Sequence, residues 1–337
     1  MDHPAITNDF TRRFGLTTPI ALAPMALAGG GALAAECANA GALALVGGGY
    51  GDLDWTRREY QNAVGTLRSS PASLVRLGCG FITWRMEQDR SALDWLLDQG
   101  DEPSAIMLSF GDPRNIARAI VDRGIPLICQ IQTIAQLPLA IEAGASVVVA
   151  QGAEAGGHGM NALDGRSTFT LVPEVADYLA KNSCEASLLA AGGISDGRGL
   201  AAAIVLGADG ALIGSRLWAA NESLAPSAAI ERAIAANGDA TARSGVFDIL
   251  REKSWPSQFN FRALRNRLHR EWENRITELR ADPLSAIAEY QTGVQDGDFD
   301  RAHVTVGEGV GLIHNKSSAR EIICEIDAKA CELLGHY

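Results

Sequence analysis

No C-x-x-C pair occurs among the six cysteines, which stand apart at Cys37, Cys79, Cys129, Cys184, Cys324 and Cys331. Scattered thiols argue against a structural zinc site and against a disulfide framework, so a reducing, cytoplasmic setting with no bound metal is expected. Basic charge is also short: 29 Lys and Arg stand against 40 Asp and Glu, a formal net charge of −11. A nucleic acid or an anionic membrane would need a basic face to displace counterions, so neither is expected as a partner. The one Arg-rich run, 262–275, alternates with Leu264, Leu268, Trp272 and Ile276 at helical spacing and reads as a solvated helix face. No uninterrupted apolar run reaches the ~20 residues a bilayer requires. The uncharged stretch 14–35 behind Arg12 and Arg13 is broken by Pro24 and the glycines 29–31, which leaves no signal-peptide core. A dinucleotide fingerprint is missing too, because those glycines lack G-x-G-x-x-G spacing and no acidic residue ends a second strand.

Glycine is abundant, with 36 residues, and it clusters where apolar runs end. Runs without polar alternation are the mark of strands covered on both faces, as parallel sheets are. Eight such strands are expected at 19–25, 42–46, 75–81, 105–109, 125–130, 146–150, 187–191 and 210–213. Helices are expected between most of them, at 32–40, 91–99, 113–123, 134–143, 173–181 and 197–206. Eight repeats of strand and helix point to an α/β fold, a (β/α)8 TIM barrel, which occupies a chain of 337 residues as one domain with insertions. After Trp218 the alternation stops. Residues 221–300 show no strand pattern and are expected to form a helical insertion over the barrel mouth, with 1–220 and 301–337 making the barrel. A last helix, 319–334, carries Ile322, Ile326, Ala330 and Leu333 on one stripe that suits packing back onto the barrel.

The chain is organised around 147–159, where an apolar strand empties into a turn carrying Gln151, Gly152, Glu154, Gly156, Gly157, His158 and Gly159. The C-terminal ends of strands are where barrels bind ligands, and the glycines would let the backbone take positive φ and lie against a flat ligand. His158 is delivered to that surface. Two further glycine turns, Gly192-Gly193 and Gly214-Ser215, follow the seventh and eighth strands. In barrels these loops form the usual phosphate site, built from backbone N–H groups and a helix end, with the Ser215 hydroxyl as an added donor.

The run Q-G-A-E-A-G-G-H-G at 151–159 closely resembles the signature of the FMN-dependent nitronate monooxygenase family, formerly the 2-nitropropane dioxygenases. P-I-A-L-A-P-M at 19–25 and A-A-G-G-I-S-D-G-R-G-L-A-A-A-I-V-L-G-A-D-G-A-L-I-G-S at 190–215 match the same family in the same order, and W-P, R-A-L-R-N-R and G-E-G-V-G-L-I continue the likeness around Trp255, Arg262 and Gly307. The resemblance implies a noncovalent FMN. By the family pattern it would be held by Ala23, Pro24 and Met25 near the ring, by Gln151, Gly156 and Gly157 beside it, and by Gly192, Gly193 and the run Leu212, Ile213, Gly214 and Ser215 around the phosphate. At the third strand many members carry an asparagine, whereas this chain reads G-C-G-F-I-T-W from Gly78, with Thr83 as the nearest polar replacement.

The substrate implied is a nitronate or nitroalkane, with O2 as the oxidant. Such chemistry asks little of protein acid–base groups, because the flavin carries the electrons. His158 has two roles open to it: a neutral imidazole, with an unperturbed pKa of about 6.5, could abstract the α-proton of a nitroalkane, or an N–H could hold the nitro oxygens. The base role is favoured, because the glycines around His158 leave few side-chain neighbours to hold the ring charged. Two other functions fit the same loops: an NAD(P)H-driven flavin reductase acting on a quinone or enoyl thioester, and a barrel that binds flavin or a phosphorylated ligand without turnover. Oligomeric state is not legible, and a homodimer is one assembly the chain admits.

Overall fold

The computed structural model describes residues 6–100 and 102–335. Its strands are β1 (Ile20–Leu22), β2 (Leu43–Gly49), β3 (Leu77–Ile82), β4 (Ile106–Ser109), β5 (Leu127–Ile131), β6 (Val147–Gln151), β7 (Gly157–Met160), β8 (Ser187–Ala191), β9 (Gly210–Ile213), β10 (Thr241–Ser244) and β11 (Phe259–Leu264). Strands β1 to β6, β8 and β9 close into a barrel in chain order. Every pair is parallel, from Ala21 against Leu43 round to Ile20 against Ala211. Each overlaps one of the eight strands expected from the sequence, and the fold is a (β/α)8 TIM barrel.

Alternation along the strands makes two cores. Leu43, Leu45, Met107, Ile128, Val147, Val149, Leu189 and Leu212 fill the barrel interior. Their chain neighbours Ala44, Val46, Ile106, Val148, Leu188 and Ile213 face the surrounding helices. Both sets are nearly water-free, which is why the strands read as unbroken apolar runs. Phe10 and Phe14, at the N-terminal helix Asp9–Arg13, join the interior set and close the end of the barrel where Asn8 Nδ2 donates to the carbonyl of Asp209, just ahead of β9. Burying a phenylalanine of this kind contributes about 1.5–3 kcal/mol.

Two of the helices that differ from expectation are long. Leu53–Leu67 follows β2, with Asp52 capping through Trp55 N–H at 2.8 Å and Thr56, Tyr60, Ala63 and Leu67 buried at helical spacing. The helix after β7 begins at Thr168 instead of 173, because Ser167 caps it through Phe169 N–H and leaves Pro173 inside. The final helix, Ala319–Leu334, forms as expected with a capping box between Ser318 and Glu321. It packs on Gly197–Val205, where a Cβ on Gly197 would stand 2.6 Å from the carbonyl of Ile326.

Residues 221–300 are not purely helical. β10 and β11 lie within them and pair antiparallel, and β11 pairs in turn with β7, setting Phe261 opposite His158. The period-two signal is present in F-N-F-R-A-L, where Phe259, Phe261 and Ala263 are buried and Asn260 and Arg262 are half-buried. It is short, and the helical spacing of the apolar residues from Leu264 onward hides it. Arg262 is accordingly not on a solvated helix face. It sits on β11, pairs with Glu308 at 2.9 Å and donates to the carbonyl of Ala153. No helix among the described residues is long and apolar enough to cross a membrane.

Candidate active site

At the C-terminal ends of the barrel strands lies a cavity of about 760 Å3. That is within the roughly 300–1,000 Å3 typical of small-molecule sites. Its floor is made by Ala23, Pro24 and Met25 after β1, Gln151 at the end of β6, Gly192 and Gly193 after β8, and Leu212, Gly214 and Ser215 around the end of β9. Gly156, Gly157 and His158 form one wall. Of the positions expected at the site Ile213 is absent, because it alternates with Leu212 and packs among the outer helices at 1% exposure. Thr83 is absent too. It is buried against Gly111, and Ile82 is the residue that lines the cavity at the end of β3.

The glycine run does not work as expected throughout. A Cβ on Gly152 would collide with Thr168 Oγ1, one on Gly156 would lie 2.6 Å from Gly307 N, and one on Gly159 would lie 2.9 Å from Arg243 Nη1. These three glycines therefore make room for protein. Gly157 alone has positive φ, at 71°, and a Cβ there would meet only Thr305, at 3.7 Å. Arg243, on β10, spans the space so created and donates to the carbonyls of Gly157, Asn260, Ala153 and Ala155 at 2.6–3.3 Å. Burial pulls its pKa down to about 9. Glu154 is likewise structural: its carboxylate accepts from Thr168 N and from the hydroxyls of Ser167 and Thr168, at the start of helix Thr168–Lys181.

Gln151 locks β7 to the barrel. Its Nε2 donates to the carbonyl of His158 at 3.2 Å, while its Oε1 accepts from Gln130 and Gln132 at 3.2 and 3.1 Å. The His158 side chain has neighbours that no nearby sequence position announces. Nε2 lies 2.8 Å from Asp248 Oδ1, and the ring stacks on Trp255 with centroids 3.4 Å apart and planes inclined by 11°. Phe261 and Phe110 stand at 4.8 and 6.4 Å. Trp255 is held in turn by its indole N–H, which donates to Tyr50 Oη at 2.9 Å. The expectation of few neighbours fails, because β11 and the segments flanking it fold back onto β7 from about 90 residues further along the chain.

The electrostatic outcome is a neutral ring. Burial lowers the His158 pKa to about 4 against the opposing pull of Asp248, and Arg251 and Arg243 lower it further. A carboxylate accepts only, so the neutral imidazole carries its proton on Nε2 and leaves the Nδ1 lone pair free. Nδ1 has no hydrogen-bond partner among the described residues. A neutral imidazole held in one tautomer by a carboxylate can accept a proton through its other nitrogen.

The chain matches the nitronate monooxygenase family over residues 83–328. It belongs to that family. A nitronate monooxygenase of Metarhizium robertsii is 32% identical over 93% of this chain and 90% of its own length, and one of Neurospora crassa is 29% identical over 92% and 88%. Among solved structures, FabK from Thermotoga maritima superposes with a TM-score of 0.79 at 26% identity, covering 98% of each chain. A nitroalkane oxidase from Streptomyces ansochromogenes shares the fold, with a TM-score of 0.78 at 23% identity over 98% of this chain and 99% of its own.

The local pattern did not place several residues at the site. Asp248, which bonds His158 from outside the cavity, and Trp255, which lines it, are the most consequential; an acid inside the apolar V-F-D-I-L run and the W-P pair were the only signals. Arg251 stacks over Phe261 at 4.6 Å from the ring centroid. Tyr290 Oη and His303 Nδ1 lie 2.7 Å apart on the far wall, where burial pushes the phenol up to about 12 and the imidazole down to about 3.

Proposed function

We propose that this protein is an FMN-dependent nitronate monooxygenase that oxidises alkyl nitronates with O2. Family membership supports the reaction class, and one observation carries the reading: a neutral histidine, oriented by a buried carboxylate, faces a cavity whose opposite side fits a flavin phosphate. The fit rests on backbone. Gly193, with φ of 74°, has open space where its Cβ would be, save for the Glu154 side chain at 3.5 Å, and Gly214 meets nothing nearer than 3.8 Å. The N–H groups of Gly193, Ile194 and Gly214 have no hydrogen-bond partner among the described residues, and all three residues line the cavity. Ser215 Oγ accepts from Gly307 N–H at 2.8 Å, which leaves its own proton to donate. Such a set binds a phosphate dianion without a lysine.

FMN would supply the redox chemistry, taking electrons from the substrate carbon and passing them to oxygen. The chain's own residues do the rest. Met25, Pro24 and Ala23 offer an apolar bed for the ring, and Gln151 fixes the backbone that bears His158. His158 Nδ1 takes the α-proton of a neutral nitroalkane; a nitronate arrives already deprotonated and needs only a wall that carries no competing charge. Trp255, Phe110 and Phe261 keep water from the reacting carbon. Residues 1–220 and 301–337 form the FMN-binding unit in this reading, and 221–300 cover the mouth and bring Asp248 and Trp255 to His158.

The test is direct. The purified protein should be yellow, release FMN on heating, and consume oxygen with propionate 3-nitronate. Rapid anaerobic bleaching by NADPH, without oxygen uptake on any nitronate, would transfer the assignment to a flavin reductase. No flavin after reconstitution would refute both.

A further inference from the structure

The short helix Val246–Leu250 delivers two charged groups to the region of the site. Asp248, in its first turn, forms the dyad with His158 through Nε2, and Arg251, which caps its C-terminal end, lines the cavity itself. Glu252 then turns the chain with φ of 55°, in the left-handed region that commonly ends a helix. The Arg251 guanidinium lies over the Phe261 ring, 4.6 Å from its centroid, and the His158 ring stands 4.8 Å from the same centroid. Both groups therefore border one aromatic ring, and a substrate of a few atoms can touch them together.

Arg251 lacks a counter-ion. No carboxylate among the described residues forms an ion pair with it, and its half-buried guanidinium has Nη1 fully buried without a hydrogen-bond acceptor. The other charged side chains lining the cavity do not offset it: Glu154 is committed to the start of helix Thr168–Lys181, and Glu252 and Lys253 are exposed. Burial is the main force that keeps His158 and His303 neutral, and Arg251 acts on both in the same direction. A cation withdrawn from water without a partner is costly, and an anion entering the cavity removes that cost.

We propose that Arg251 holds the nitro group of the substrate, a reading that rests on the assignment of nitronate oxidation. A nitronate is planar, with its two oxygens set on nitrogen as a carboxylate sets them on carbon, so the rigid guanidinium fork meets both. The same contact serves a neutral nitroalkane. When its α C–H bond breaks, the proton goes to Nδ1 of His158, the C–H electron pair forms the C=N bond, and one N=O pair moves onto oxygen. Imidazole becomes imidazolium and the substrate becomes an anion whose charge lies on the oxygens that face Arg251. A fixed cation at that place stabilises the transition state more than the neutral ground state.

Propionate has the shape and charge of ethyl nitronate without its reactive bond, so it probes the fork alone. Titrated into the FMN-loaded protein and read by flavin absorbance, it should bind about tenfold or more weakly in Arg251→Gln. Anaerobic flavin reduction divides the same loss in two ways. Preformed ethyl nitronate carries its charge before reaction, so its KM should rise about tenfold or more with kcat held within about threefold. Neutral nitroethane gains charge only in the transition state, so its kcat should fall about tenfold or more with KM held within about threefold. Arg251→Lys keeps the charge without the fork and should lie between wild type and glutamine. It is read alone should the glutamine variant not fold, and propionate binding equal to wild type then overturns the proposal. Unchanged propionate binding in folded Arg251→Gln overturns it too, as does an equal fall in kcat on both substrates, the mark of a packing role. A loss confined to propionate 3-nitronate, with ethyl nitronate spared, assigns Arg251 to a distal carboxylate and refutes the nitro-group contact. Nitronate oxidation that is the same in wild type and variant sinks the role of Arg251 and leaves the functional assignment standing; a wild type that oxidises no nitronate sinks both.

Discussion

Asp248→Asn is the sharpest probe of the dyad. The carboxylate makes a 2.8 Å bond that places the imidazole proton on Nε2, and its charge opposes the fall of the His158 pKa caused by burial. Asparagine fills the same volume but changes both effects. Hydrogen bonds to charged groups contribute about 1.5–3 kcal/mol and neutral ones about 0.5–1.5 kcal/mol, so the developing imidazolium loses about 1–2 kcal/mol. At 1.36 kcal/mol per factor of ten, that is roughly a 5- to 30-fold slower proton abstraction. The amide can also turn its NH2 to Nε2, which moves the imidazole proton to Nδ1 and silences the base, so about 100-fold is a fair upper range. The assay is anaerobic stopped-flow reduction of the bound flavin by nitroethane and, separately, by ethyl nitronate. Only the first should slow. The acid limb of kcat/KM for nitroethane, governed by a pKa of about 4 in the wild type, should move lower still, since the group removed was raising it. Equal slowing on both substrates, or an acid limb shifted upward, would refute the orienting role.

His158→Asn should lower activity on a neutral nitroalkane by about 10²–10⁴-fold while largely sparing the nitronate; unchanged rates on both would remove His158 from the mechanism. Gly193→Asp should purify folded but without FMN, because a side chain at φ of 74° is strained and its carboxylate would meet the phosphate; stoichiometric FMN in that variant would place the phosphate elsewhere. Acid should destabilise the fold. His158 is neutral when folded down to a pKa of about 4 but protonates near 6.5 when unfolded, so its contribution is complete above about pH 6.5 and is lost as pH falls toward 4. A pKa lowered from 6.5 to about 4 corresponds to about 3 kcal/mol by pH 4, with His303 adding in the same direction. Urea unfolding of wild type and His158→Asn at pH 7 and pH 4.5 reads the difference; identical pH dependence would contradict the buried, neutral ring.

The barrel was legible because burial on both faces leaves a local trace. Val147–Gln151 and Ser187–Ala191 are apolar runs ended by glycine, and such runs have few other uses. The glycine turns that line the cavity were legible for the same reason, since Gly193 and Gly214 stand at fixed offsets from strand ends. Alternation misled only where a continuous motif was read as all facing one way, as at Ile213. In the glycine run three of the four make room for Thr168, Gly307 and Arg243, and Gly156 and Gly157 also line the cavity.

The chain by itself determined a parallel barrel, the end of it that carries the cavity, and a histidine delivered to that end, because strand periodicity and turn chemistry act over a few residues. The company that histidine keeps was decided only by the tertiary structure. Asp248, Trp255 and Phe261 reach His158 through the pairing of β11 with β7, a contact across roughly a hundred residues whose register no local pattern specifies. The protonation state followed the same rule: in isolation the imidazole has its ordinary pKa, and the depression to about 4 exists only once the folded chain has removed water from around it.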